Sequence, residues 1–411
     1  MNFNGIDYEK LNKLSKEYGD AFYLLDSSLF EANYKHMLNA FRSYYENTII
    51  AYSYKTNYLP NLCRKIDELG GCAEIVSEME WYLSKKLGVK NENVYYNGPY
   101  KKPEVIEDFL LSGGHLNIDA EYEAKIVRAV ASKYPEKIFE VGLRCLIDIG
   151  QEESSRFGLE VADGTLAKVY DELTQADNIR VVGLHIHLPF RNIDTFMPRM
   201  KALKNVLNEL PENAAFTYIS LGGGYMGEVD KELACEFSFI PPTYNDYAKV
   251  VAGGFSKIFE GKNYKPQLII EPGSAIVANT MRLVTRVVNI KHSRDRYIAT
   301  LTGSTYNMNP SVKGVRRTID VYKADGSKDD TREYENLDMA GYTCIEGDYL
   351  YHGYKGTLNT GDFVVFKNVG SYSVVMKPPF ILPDIAVIDI ANEFSLIKNY
   401  QKASDIFDNM L

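Results

Sequence analysis

The chain reads as an α/β plus β protein, a (β/α)8 TIM barrel with a C-terminal β-sandwich or β-barrel domain that also takes in the N-terminal strand. Three observations predict this. Between Thr48 and Gly273, short runs rich in β-branched and aromatic residues alternate with longer amphipathic stretches, the pattern of a parallel sheet with crossover helices. After Pro272 the texture turns to apolar alternation broken by turn signals, as in MRLVTRVVNIKHS, DRYIATLTG, TIDVYKADGS and DFVVFKNVGSYSVVM. The early run AFYLLD is also strand-like, but a ninth strand has no place in an eight-stranded cylinder, so it goes to the β-domain. The expected domains are residues 27–275 for the barrel and 1–26 with 276–411 for the β-domain.

The barrel runs, in order, are TIIAYSYK (48–55), CAEIVS (72–77), VYYNG (94–98), HLNID (115–119), FEVGLRCLI (139–147), VVGLHIHL (181–188), YISLGGG (218–224) and LIIEPG (268–273). Helical stretches such as SEMEWYLSKKLG, KPEVIEDFLLSG, AEYEAKIVRAVASKY and TFMPRMKALKNVLNEL lie between them. Eight βα units in about 250 residues match a (β/α)8 barrel, whose active site lies at the C-terminal ends of the strands.

Composition narrows the function. With 411 residues, 45% of them hydrophobic, the chain can bury a large core. A net charge of -9 leaves no basic field for nucleic acid or an anionic membrane, so small molecules are the expected partners. Cys63, Cys72, Cys145, Cys235 and Cys344 are scattered without CxxC spacing, which argues against a disulfide framework or a zinc ribbon and for a reducing cytoplasm. The first residues, MNFNGIDYEKLNKLSKEYGD, are polar with both signs of charge and read as neither secretory signal nor transit peptide. No later run approaches a membrane span.

The chemistry collects at the strand ends. Lys55 closes the first run; alone it reads as a solvated charge, but at a barrel mouth partial desolvation lowers its pKa and leaves an amine able to condense with a carbonyl. The run Leu221 to Gly224 follows strand seven, where barrels hold phosphate, and Gly222, Gly223 and Gly224 let backbone N–H groups close on its oxygens. Strand eight ends in EPG, which places Glu271 beside that site. A carboxylate there needs a cationic partner, and a protonated pyridinium nitrogen is one. His185 and His187 fall on one face of strand six, because strand side chains alternate. They read as packed core residues, as metal ligands or as an imidazole lying on a flat ring; the lack of a third ligand at spacing disfavours metal, so none is expected. Together these residues describe a pyridoxal 5'-phosphate site.

With these residues in place, the chain resembles the fold-type III pyridoxal phosphate decarboxylases, the group of diaminopimelate and ornithine decarboxylases. YSYKTN (52–57), GGCAEIVSEMEW (70–81, with Glu74 where aspartate is usual), SRFGL (155–159), GLHIH (183–187), LGGG, EPG, CIEGD (344–348) and GSY (370–372) follow in the family's order. The resemblance implies that Lys55 holds the cofactor covalently, His187 stacks on its ring, Glu271 pairs with its ring nitrogen, and Tyr372 also touches it; Ser274, where the family has arginine, is expected at the cofactor as well. It further implies that Cys344 donates a proton, that Asp348 and Glu346 face the substrate, and that the enzyme is a head-to-tail homodimer whose Cys344 loop completes the partner's site. Glu271 favours decarboxylation over the racemases of this fold, which pair that nitrogen with arginine.

Several positions depart from the family. His187-Leu188-Pro189-Phe190 replaces His-Ile-Gly-Ser, which removes a phosphate-binding serine that Arg191 or the glycine loop would have to replace. EPG is followed by Ser274 rather than arginine, Asn309-Pro310 stands for an arginine-proline pair, and Ile345 stands for an acidic residue. Removing a charged partner from a substrate's buried end costs about 2 to 5 kcal/mol, so diaminopimelate, ornithine and lysine are all disfavoured. Lys313, Arg316 and Arg317 offer a basic cluster for another acidic tail. The expectation is therefore decarboxylation of a larger or unusual carboxylated amino-acid derivative, such as a siderophore or antibiotic precursor. The alternatives are diaminopimelate decarboxylase of lysine biosynthesis and, from another class, a catalytically inactive binding protein.

Overall fold

A computed structural model describes residues 3–150, 155–310, 315–324, 332–408 and 410. Its strands, in chain order, are β1 (Ala21–Leu25), β2 (Thr48–Ser53), β3 (Cys72–Ile75), β4 (Val94–Tyr96), β5 (His115–Ile118), β6 (Phe139–Leu146), β7 (Leu159–Glu160), β8 (Ile179–His185), β9 (Tyr218–Ser220) and β10 (Gln267–Ile270). They continue as β11 (Met281–Ser293), β12 (Arg296–Leu301), β13 (Ile319–Tyr322), β14 (Glu333–Ala340), β15 (Tyr349–Thr357), β16 (Phe363–Phe366), β17 (Ala386–Asp389) and β18 (Ser395–Lys398). Two compact units contain them, Tyr34–Met226 with Pro242–Ala275, and Met1–Asn33 with Gly227–Pro241 and Ile276–Leu411.

The first unit is the barrel. Its sheet runs β5-β4-β3-β2-β10-β9-β8-β6, every pair is parallel, and pairing of β5 with β6 closes the cylinder. The two-residue β7 is an appendage on the end of β6. Strands such as β3, β4 and β9 are buried along their whole length, as expected when one face meets the barrel interior and the other the helices. Inside, Ala51, Cys72, Tyr95, Val182, Tyr218 and Ile269 pack together. Tyr218 lies so close to β6 and β8 that a Cβ on Gly183 would meet its ring at 2.0 Å and one on Gly142 its hydroxyl at 2.3 Å, so both positions require glycine.

Local signals set the helices that return the chain. Ser77 caps helix Glu78–Leu87 by accepting from the Glu80 N–H, and Gly88 closes it in the left-handed region. Pro103 opens helix Pro103–Ser112 and Gly113 ends it in the same way. The runs read from sequence extend beyond the strands at their C-terminal ends. β2 stops at Ser53 and Lys55 sits in a 3-10 turn, Tyr54–Thr56; β8 stops at His185, so His187 lies past the strand. These overhangs form the mouth of the barrel.

In the second unit β1 is central, antiparallel to β11 and parallel to β17, within the order β15-β14-β12-β11-β1-β17-β18, with β16 on β11 and β13 on β16. AFYLLD thus belongs to the β-domain, where Phe22 and Leu24 pack with Val284, Val365 and Ile388 and with Leu11 and Leu14 of helix Tyr8–Tyr18. Residues 27–33 and 227–241, read from sequence as barrel, group with this unit. Asp230 anchors the second segment by accepting from Thr318 Oγ1 at 2.7 Å and Asn368 Nδ2 at 3.2 Å, contacts across 88 and 138 residues that no local pattern encodes. Among the described residues no helix is long and apolar enough to cross a membrane.

Candidate active site

Lys55, in the turn after β2, has a partly open side chain, 34% exposed, and its Nζ donates to Glu74 Oε2 at 2.5 Å. Glu74, near the end of β3, is 1% exposed; the same oxygen accepts from Ser53 Oγ, and Oε1 accepts from Asn97 Nδ2 at 3.0 Å. Glutamate in place of the shorter aspartate is thus the partner of Lys55. A second buried acid follows on the next helix. Glu80 accepts from the Val76 N–H at 2.6 Å, and burial, with help from the Glu74 charge, pushes its carboxyl up to about 7.

Glu271, just past β10, is buried and fixed on both oxygens. Oε1 accepts from Ser220 Oγ at 2.7 Å and Asn97 Nδ2 at 3.1 Å, and Oε2 faces His185 Nε2 at 3.1 Å. Burial opposes its charge, yet the His185 imidazole and the Lys55 ammonium outweigh that effect and hold the carboxyl well below the usual carboxylate range. Oε2 retains a lone pair for a further donor.

His187 Nδ1 accepts from the Gly223 N–H at 2.8 Å, and its ring lies parallel to that of His185, 5° off with centroids 6.4 Å apart. Burial, then the charges of Lys55 and Arg144, push its pKa well below the ordinary histidine value, so at neutral pH it is an uncharged ring. The glycine run differs from the expected cradle. The Gly222 N–H goes to Ser220 Oγ at 3.1 Å and the Gly223 N–H to His187, so these two amides orient side chains. Glycine is still required, since a Cβ on Gly223 would meet the Glu271 carbonyl at 2.8 Å, and one on Gly224, at φ 92°, the carbonyls of Phe190 and Leu188 at 2.7 and 2.8 Å. Arg199 ties the run to the 188–190 segment by donating to the carbonyls of Gly223 and Phe190 at 3.3 and 2.6 Å. At the position of the usual serine, Phe190 therefore contributes its backbone. Arg191 Nη2 reaches Ser274 Oγ at 3.4 Å.

Lys55, His187, Glu271, Ser274 and the three glycines are thus gathered at one end of one barrel. An amine partnered by an acid suits an aldehyde, a buried carboxylate with a spare lone pair suits a ring nitrogen, and a neutral imidazole suits a ring face. The residues fit pyridoxal phosphate. Residues 30–278 match the family described as pyridoxal-dependent decarboxylase, pyridoxal binding domain. The chain belongs to the pyridoxal-dependent decarboxylases. It is a fold-type III member, a carboxy-lyase, and its cofactor is pyridoxal 5'-phosphate.

Its relatives among these decarboxylases include the diaminopimelate decarboxylase of Archaeoglobus fulgidus, 24% identical over 389 residues, 91% of this chain and 88% of the relative. They also include the L-glutamyl-(BtrI acyl-carrier protein) decarboxylase of Niallia circulans, 25% identical over 435 aligned residues, 99% of this chain and 97% of the relative. The crystal structure of diaminopimelate decarboxylase from Methanocaldococcus jannaschii in complex with L-lysine shares the fold, with a TM-score of 0.86 at 22% identity over 97% of this chain and 94% of that one.

The remaining decarboxylase motifs lie in the β-unit. Cys344 is a free, exposed thiol, and Glu346 beside it is exposed. Asp348, expected at a substrate amine, is 3% exposed and its carboxylate accepts five hydrogen bonds, from Ser304 Oγ, from the N–H and Oγ1 of Thr305, and from the N–H and Oγ1 of Thr343. It is the internal anchor of the turn that carries Cys344. Tyr372 is half-buried at φ 58°, a left-handed conformation uncommon for an aromatic residue and typical of functional sites. Arg316 is exposed and donates to Tyr351 OH, while Arg317 donates to the carbonyls of Asn368 and Met308. Lys313 lies outside the described residues. Asn97, Ser220 and Ser53 escaped the reading from sequence. Asn97 had a signal in its position at the end of the third barrel strand, where site residues concentrate.

Proposed function

We propose that this protein removes the α-carboxylate of a dicarboxylic amino acid, with diaminopimelate as the substrate its relatives favour. The observation that carries the reading is the buried, doubly fixed carboxylate of Glu271 in the same mouth as Lys55. Bound pyridoxal phosphate supplies the electron sink for the pair left when the bond from Cα to the carboxylate breaks. Lys55 would hold the cofactor through its aldehyde and release it when a substrate amine binds there. Glu271 keeps a proton at the ring nitrogen, where it is needed for the sink to be strong. His187 covers one ring face as a neutral imidazole, adding no charge there. Cys344, exposed on a turn braced by Asp348, gives the proton that returns to Cα, and it does so in the barrel of a second copy of the chain.

A second reading is a larger acyl-linked substrate, and it has support of its own. Asn309 and Ile345 replace the residues that would grip a small charged end, and the glutamyl carrier-protein decarboxylase aligns over nearly the whole chain. The test is to incubate the holoenzyme with diaminopimelate, other carboxylated diamino acids and a glutamyl-loaded carrier protein, and to follow loss of CO2 by mass spectrometry. Diaminopimelate turnover supports the first reading and carrier-bound turnover alone the second. Inertness toward the panel, with no visible absorbance from bound cofactor, would return the inactive binding protein.

A further inference from the structure

Asn97 holds a position that neither Lys55 nor Glu271 explains by itself. Its Nδ2 donates to Glu74 Oε1 at 3.0 Å and to Glu271 Oε1 at 3.1 Å, so one amide nitrogen carries oxygens of two buried carboxylates. Glu74 is the partner of Lys55, and Glu271 is the acid for the ring nitrogen. Like charges in a low-dielectric site disfavour double ionisation, and a donor placed on both carboxylates offsets that effect.

The amide cannot turn around. Asn97 Oδ1 accepts from Asn117 Nδ2 at 2.8 Å, and Asn117 Oδ1 accepts from Tyr218 OH at 2.8 Å. A flipped Asn97 would aim its oxygen at both carboxylates and set its NH2 against the NH2 of Asn117. The phenol at the end of the chain is packed in the barrel interior, wedged against Gly142 and Gly183. Hydroxyl, amide, amide and paired carboxylates therefore form one directed chain across β9, β5, β4, β3 and β10, and its polarity is set away from the chemistry.

We propose that Asn97 is a positioning residue that keeps Glu74 on Lys55 and Glu271 free for the ring nitrogen by donating to both from one nitrogen. The proposal rests on the reading of Lys55 and Glu271 given above. A hydrogen bond donated to an ionised carboxylate favours the ionised form, so its loss moves that group's protonation to higher pH. The other charged or titratable groups facing the pair, among the described residues, are Lys55, Glu80, Tyr95, His185, His187, Tyr218 and Tyr225, and all are retained when Asn97 alone is changed.

The test uses Asn97→Leu and Tyr218→Phe, the second removing only the distal hydroxyl. Pyridoxal phosphate is titrated into resolved protein from about pH 8.5 downward until binding is lost, and affinity is followed by absorbance and by fluorescence quenching, with no substrate present. Asn97→Leu should lose roughly tenfold or more in affinity at pH 6, on the order of a hydrogen bond to a charged group, and its acid limb should move up by about one pH unit. Tyr218→Phe should move the limb in the same direction by less. A lower melting temperature with an unmoved limb would overturn the proposal, and so would an unmoved limb in Tyr218→Phe should Asn97→Leu not fold. Failure to release CO2 from any substrate, with the limb shifted as expected, would count against the proposed function and leave this inference standing.

Discussion

At the residue scale, the barrel mouth concentrates acids whose environments drive them apart. Glu271 is held ionised by His185 and Lys55 against its burial, whereas Glu80, six residues beyond Glu74, keeps its proton to about pH 7 because burial dominates. An unfolded glutamate releases its proton near about 4.3. The folded state therefore binds more protons between those values, and its stability falls as pH rises through that window. Glu80→Gln removes the loss and keeps an acceptor for the Val76 N–H. Its stability relative to the parent should rise from near zero at pH 4.5 to on the order of 2 kcal/mol at pH 8. Thermal melts across that range check this, and a gap independent of pH would rule it out. Much of this was visible beforehand, because Lys55 and Glu271 follow β-rich runs and strand ends are where barrels place chemistry. Asn97 was not, since an asparagine after a strand reads as turn chemistry until its partners on other strands are known.

At the element scale, a buried ion pair joins two loops of the barrel mouth. Lys101, between β4 and its helix, has a fully buried side chain and donates to the carbonyls of Gly98 and Asn117 and to both oxygens of Glu123 on helix Glu121–Lys133. Burial lowers its pKa, with Glu123 opposing that shift. Glu123 also accepts from the Asp119 N–H at 2.8 Å, so the pair clamps the ends of β4 and β5. Removing one partner leaves a buried charge without its counterion. Lys101→Met should cost about 3 to 5 kcal/mol in denaturant unfolding, and Lys101→Met with Glu123→Leu less than that single change. Equal or additive costs would show that the charges do not act as a pair. The strands themselves were legible because their apolar runs and flanking breakers are local. Their exact ends were not, since β2 and β8 release the chain where side chains such as Ser53 and His185 find partners on neighbouring strands.

At the scale of the whole molecule, the barrel and the β-unit carry different parts of the proposed reaction. Lys55 and Glu271 belong to one, Cys344 and Tyr372 to the other. If Cys344 serves the barrel of a second copy, Lys55→Ala and Cys344→Ala proteins, each without turnover, should regain about one quarter of the parental activity when mixed and re-equilibrated, because random pairing restores one intact site in half of the dimers. Lys55→Ala alone should also lose the visible absorbance of lysine-bound cofactor, whereas Cys344→Ala should keep it. No regain on mixing would refute a shared site.

By itself the sequence determined the eight-fold alternation of strands and helices, the β-rich second unit with its N-terminal strand, and the candidate residues for pyridoxal chemistry at the strand ends. Those features depend on short-range pattern, which a linear reading can follow. Only the tertiary structure decided that Asn97 bridges two carboxylates, that Asp348 braces the Cys344 turn, that two amides of the glycine run orient side chains, and that residues 227–241 group with the β-unit. Each of these depends on hydrogen bonds between residues far apart in the chain, and such bonds exist only once closure of the sheets has brought their donors and acceptors within 3 Å or so of one another.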